Sequence, residues 1–192
     1  MKPARMEAFS DGVIAIIITI MVLEMRAPEG ASLGALKALG PVALSYVLSY
    51  VFLGIYWSNH HHLLQAVHQV NGRILWANLH LLFWLSLTPF VTKWMGETHF
   101  AALPVALYGG VLFCAACAYY VLVRALVAHH GPHSPIATAI GSDRKGKLSI
   151  VIYAVAIPLA FGVPWAAGAL YALVAVMWLI PDRRIEHALA GS

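Results

Sequence analysis

Charged side chains are scarce in this sequence. Asp, Glu, Lys and Arg supply 10% of the 192 residues, against an apolar share of 61%. A soluble domain averages roughly 25% charged and 45–50% apolar residues. So much apolar surface cannot be hidden in a water-soluble core of this size, which excludes an ordinary soluble domain and makes lipid the natural solvent. Cysteine is nearly lacking as well. Cys114 and Cys117 spell C-x-x-C but sit in the middle of an apolar run. Redox or zinc chemistry would need an accessible thiolate and further ligands, so the two read as small packing residues, and no disulfide framework is implied. No G-x-x-x-x-G-K-[ST] loop is present to power transport, and no DNA- or RNA-binding motif accompanies the net charge of +4, so nucleic acid is not an expected partner. Long polar loops are missing too. The longest, 129–147, is too short to fold an extramembrane domain.

What the chain has is a series of apolar segments. They predict an all-α integral membrane protein, residues 1–192 forming a single domain of six transmembrane helices: about Met6–Met25, Leu39–Leu64, Ile74–Met95, Leu103–Val127, Leu148–Val163 and Trp165–Ile180. The isoleucine-rich first segment would suit a strand in water, but in lipid each backbone polar group must be satisfied within the segment, so a helix is expected. Met1-Lys2 before an apolar stretch resembles a signal peptide. Glu7 and Asp11 interrupt it and no small-residue cleavage site follows, so a retained span is expected. With six spans, Lys2, Arg5, Arg73, Arg124, Arg144, Lys145, Lys147, Arg183 and Arg184 fall on one side, and Arg26, Lys37 and Lys93 on the other. That bias places both termini in the cytoplasm of a multi-pass plasma-membrane protein.

Polar chemistry concentrates at the start of the first span, in Arg5-Met6-Glu7-Ala8-Phe9-Ser10-Asp11-Gly12. Such groups are costly against lipid, so Asp11 requires a partner from a neighbouring helix. A plain helix N-terminus, with carboxylates favoured by the macrodipole, accounts for the same residues equally well.

Arg5, Phe9, Ser10 and Asp11 form the pattern Arg-x-x-x-Phe-Ser-Asp. This resembles the signature of the transmembrane-protein-175 potassium channel family, and the run Gly12–Glu24 is similar to that family's pore helix. Animal members carry two six-span repeats. One copy of the motif suggests a prokaryotic single-repeat member. The resemblance implies a homotetrameric channel in the lipid bilayer, passing potassium and other monovalent cations through a pore lined by four copies of helix 1, with no cofactor and no enzymatic activity. The Thr-Val-Gly-Tyr-Gly carbonyl filter of other potassium channels is absent here. Register against the motif instead puts an apolar constriction at Ile16, with Ile20 and Leu23 on the same stripe and the Thr19 hydroxyl beside it. The resemblance further implies that Trp57, Asn59, His61 and Asn78, with His60, His62 and His80 as further candidates, hold the Phe-Ser-Asp segment, Asp11 pairing with a histidine or Arg5. Periodicity alone does not select a pore face, because the helix is apolar all round.

Other readings remain open. His60-His61-His62, His68 and His80 allow a His-rich membrane metalloprotein, although acids are few and no H-x-x-H-H box appears. A small secondary transporter would predict coupled flux and a mid-membrane binding site. Glu24 at the far end of the span would either ring a pore mouth or pair with Arg26 or water. Gly109-Gly110 suits close helix packing.

Overall fold

Lipid offers no partner to a backbone N–H or C=O, and the chain answers with helices throughout. The computed structural model describes residues 2–141 and 143–179. Helix α1, Ala4–Leu23, begins at Pro3, whose carbonyl accepts from the Met6 and Glu7 amides. A short α2, Leu33–Ala38, is capped by the Ser32 hydroxyl and leads into α3, Gly40–Gln65. Asn71 caps α4, Gly72–Ser86, by accepting from the Ile74 amide. Helix α5, Thr88–Glu97, follows after a break at Leu87. Pro89 accounts for that break, since proline brings no N–H to donate to the Leu85 carbonyl one turn back and its ring crowds that carbonyl. Then come α6, Ala102–His130; α7, Pro135–Ile140; α8, Arg144–Leu159; and α9, Pro164–Leu179.

Among the described residues, four segments are long and apolar enough to cross a bilayer: Ala4–Leu23, Gly40–Gln65, Gly72–Glu97 (α4 and α5 together) and Ala102–His130. The protein is therefore a multi-pass membrane protein. Helices α8 and α9 have 16 residues each, about 24 Å of helix. The expected fifth and sixth spans fall on them, but α8 starts earlier than Leu148, at Arg144, because Asp143 caps it through the Gly146 amide. The expected loop 129–147 holds the end of α6 and all of α7, and α2 has no counterpart in the predicted spans. Ile180, which ends the expected sixth span, and Arg183 and Arg184 of the charge count lie outside the described residues.

Helix α6 is the central post and touches α4, α5, α7, α8 and α9. Around it lie two apolar cores. One joins α1, the end of α3, α4 and the second half of α6 through Ile14, Leu64, Ile74, Leu122 and Leu126. The other joins the middle of α3, α5, the first half of α6, α8 and α9 through Phe52, Met95, Tyr108, Tyr153 and Tyr171. The Tyr171 hydroxyl donates to the Val105 carbonyl at 3.2 Å, and a Cβ on Gly109 would lie 2.0 Å from that hydroxyl oxygen. Gly109 is thus used for packing inside the chain, while a Cβ on Gly110 would meet nothing within 4 Å. Helix α1 lies against α3, α4 and α5, so one of its faces is fixed by the rest of the molecule.

Candidate functional site

The apolar sequence of α1 hides an asymmetry that packing brings out. Met6, Ser10, Ile14, Ile17 and Met21 are buried, three or four residues apart, and so form one stripe against the neighbouring helices. On the other side Phe9 is 55%, Ile16 59%, Ile20 39% and Leu23 79% exposed. Thr19 is also exposed, and its hydroxyl donates to the Ile16 carbonyl at 2.9 Å. The residues expected at the constriction therefore share the uncovered face.

The polar start of α1 is tied down by three separate anchors. The Trp57 indole N–H donates to Asp11 Oδ1 at 3.0 Å. Glu7 Oε1 lies 2.9 Å from His61 Nδ1, and His61 Nε2 lies 2.8 Å from Gln65 Nε2, an amide that can only donate. With Nε2 accepting from Gln65, the His61 proton sits on Nδ1 and points at Glu7. His61 also stacks on Trp57, ring centroids 5.9 Å apart. The third anchor is buried. Ser10 donates to the Met6 carbonyl at 2.8 Å and accepts from Asn78 Nδ2 at 2.9 Å, while Asn78 Oδ1 lies 2.7 Å from His60 Nε2. An amide oxygen only accepts, so His60 carries its proton on Nε2, and its buried Nδ1 has no partner among the described residues.

Sequence reasoning and structure differ over who holds whom. Asp11 pairs with Trp57, rather than with a histidine or Arg5. Arg5 is exposed, with no ion pair among the described residues. Asn59 turns back on its own helix, its Nδ2 donating to the Ile55 carbonyl at 2.8 Å. His62 has a buried Nδ1 with no hydrogen-bond partner among the described residues, and His80 accepts from the Trp84 indole at 3.0 Å. One partner absent from the expected set matters, Glu7, which takes His61; His60, a further candidate in that set, completes the Ser10–Asn78 chain. A second acid in the first turn, one helical turn before Asp11, was the available signal for Glu7. Among the described residues, no three His, Cys, Asp or Glu side chains gather as a metal ion would need.

At the far end of α1, Glu24 forms an ion pair with Lys93 of α5 rather than with Arg26 or water alone. The hydrogen bond and charge of Lys93 hold the Glu24 carboxyl below the usual carboxylate range, with a smaller contribution from Arg26. A charged residue inside an apolar span was the sequence sign of that contact. In between, Thr92 of α5 joins a buried hydroxyl cluster, 2.7 Å from Ser49, which lies 3.1 Å from the Tyr108 hydroxyl.

A helix pinned by polar contacts at both ends and apolar along an uncovered face, packed among apolar spans, defines a helical multi-pass membrane protein with one helix face left open. Comparison with known proteins makes the class specific. The family model described as endosomal/lysosomal potassium channel TMEM175 matches residues 5–89. A potassium channel from Chryseobacterium sp. (strain P1-3) is 52% identical, over 98% of each chain. The crystal structure of a lysosomal potassium-selective channel TMEM175 homolog from Chamaesiphon minutus superposes with a TM-score of 0.80 at 27% identity, covering 92% of this chain and 96% of that one. The zebrafish (Danio rerio) relative, named an endosomal/lysosomal proton channel, is 26% identical over 68% of this chain and 25% of its own length. This chain belongs to the TMEM175 family, whose members are ion channels and not enzymes.

Proposed function

We propose that the protein conducts potassium passively across the plasma membrane as a homotetramer, through a pore lined by four copies of α1. The observation that carries this reading is the split of α1 into one buried and one uncovered face, in a chain that belongs to a potassium channel family. Ile16 forms the constriction, with Ile20 and Leu23 continuing the apolar lining. A ring of such side chains gates by excluding water, not by replacing it with carbonyls. Thr19 supplies the polar contact. Its proton is donated to the Ile16 carbonyl, so the lone pairs of its oxygen are left to face a partly dehydrated cation. The anchors at Asp11, Glu7 and Ser10 keep the four pore helices in register. With α8 and α9 as short fifth and sixth spans, both termini are cytoplasmic, in keeping with the charge bias. No cofactor is required, since the ion gradient drives the flux.

Purified protein in liposomes tests this, with potassium, sodium and proton gradients imposed in turn on wild type and Ile16→Asn. Passive potassium flux that the substitution increases is the expected result. Flux that requires a second, co-transported ion would support a secondary transporter instead, and no flux from either folded protein would overturn the channel reading.

A further inference from the structure

The motif anchors hold one end of α1. At the other end the helix stops with Glu24, whose amide donates to the Ile20 carbonyl at 3.0 Å. Glu24 follows Ile20 by four residues and Leu23 by one, so it stands at the edge of the uncovered face instead of behind it. Leu23 beside it is 79% exposed. A carboxylate here, repeated in four copies around one axis, would make a ring of negative charge at the outer mouth, and such a ring draws cations toward a pore.

Lys93 intervenes. Its ammonium is ion-paired with the Glu24 carboxylate, and both side chains keep part of their surface open, 31% for Lys93 and 41% for Glu24. The helices that carry the pair are locked together one turn away. The hydroxyl of Thr92, the residue before Lys93, lies 4.0 Å from Met21 Sδ and 2.7 Å from the Ser49 hydroxyl, in a buried cluster. Met21 precedes Glu24 by three residues. The contact that fixes α5 against α1 therefore also delivers Lys93 to Glu24. Lys93 in turn favours the ionised form of that carboxyl, so the pair sets a full negative charge against a full positive one. Arg26, Glu29, Lys37 and Glu97 are the other charged groups at this end. All are exposed, and none forms an ion pair among the described residues.

We propose that Lys93 sets the conductance of the pore: each copy cancels one Glu24 carboxylate at the outer mouth, and the four pairs together fix how strongly the channel draws cations from dilute solution. Lys93 acts through Glu24 and touches no permeating ion, which makes it a positioning residue. The inference rests on the reading of α1 as the pore helix.

Single-channel currents in planar bilayers test it, in potassium chloride at about 10 mM, where charges act over about 30 Å, and at about 1 M, where they act over about 3 Å. In the dilute salt Lys93→Gln, which leaves the Glu24 ring uncancelled, should raise potassium conductance about threefold, and Glu24→Gln, which leaves a ring of Lys93 ammoniums, should lower it about as much. Glu24→Gln/Lys93→Gln should return to the wild-type value, and in the concentrated salt all of these proteins should agree. A pair that only supports the fold would impair both single variants in the same direction and at both concentrations. That pattern, or single variants equal to wild type in dilute salt, would overturn the proposal. Where one single variant does not fold the other suffices, since the two are expected to move in opposite directions. A wild type without potassium current at either concentration would overturn the channel reading and the proposal with it, whereas a conducting wild type with unresponsive variants overturns the proposal alone.

Discussion

Ile16 presents more than half its surface on the uncovered side of α1, and in a narrow ring an asparagine there would supply the hydrogen bonds that bring water in. Ile16→Asn should therefore raise potassium conductance several-fold in planar bilayers, and an unchanged current would move the constriction to another residue. Asn78 works in the opposite direction, within the protein. It is the one side chain that serves both Ser10 and His60, so Asn78→Ala strips a partner from each. The expected loss is about 1–2 kcal/mol of stability, read as a lower melting temperature in detergent. Conductance per folded channel should change far less. Glu24 gives a pH prediction. Lys93 depresses its carboxyl in the folded protein, so its contribution is present above the ordinary carboxylate range and is lost as the pH falls through the depressed folded value. The melting temperature of wild type should drop more steeply over that acid window than that of Glu24→Gln. Parallel curves would show that the ion pair contributes nothing.

Between helices, the sharpest contrast is at two adjacent glycines of α6. Gly109→Ala would drive a methyl into the Tyr171 ring and hydroxyl, and overpacking of this kind costs about 1–3 kcal/mol. Gly110→Ala meets open space and should stabilise by about 0.5–1 kcal/mol, the usual gain from replacing glycine within a helix. Melting temperatures of the two variants should move in opposite directions. The same pair illustrates what was legible beforehand. Long uncharged runs located the first four spans to within a few residues, because a bilayer forces helix on them, whereas the break at Leu87 inside the expected third span, Ile74–Met95, was not foreseen. The Arg-x-x-x-Phe-Ser-Asp pattern located the polar end of α1. By contrast, nothing in the glycine doublet says which member faces Tyr171, some sixty residues further on. Nor does spacing reveal that Trp57 rather than a histidine reaches Asp11, or that Glu7 takes His61. Those pairings depend on how α1 and α3 are rotated against each other, which is a property of packing. The short α2 and α7 escaped for a different reason: each is a six-residue helix held by a serine cap, too brief to carry a period.

For the assembled molecule, native mass spectrometry should show four copies of the chain, and a monomer that still conducts would overturn the shared pore. A zebrafish relative is named a proton channel. Protons move along hydrogen-bonded chains by handing on a bond, which a hydroxyl, a water or an imidazole can do, because each can take a proton on one side and release another on the opposite side. The buried chain from His60 to Ser10 looks like such a wire, yet its middle member is the Asn78 carboxamide. That group accepts on oxygen and donates on nitrogen, and does not exchange the two roles at ordinary pH. The chain is held together by hydrogen bonds but is broken as a conductor. It anchors the helix without itself serving as a side route for protons behind it.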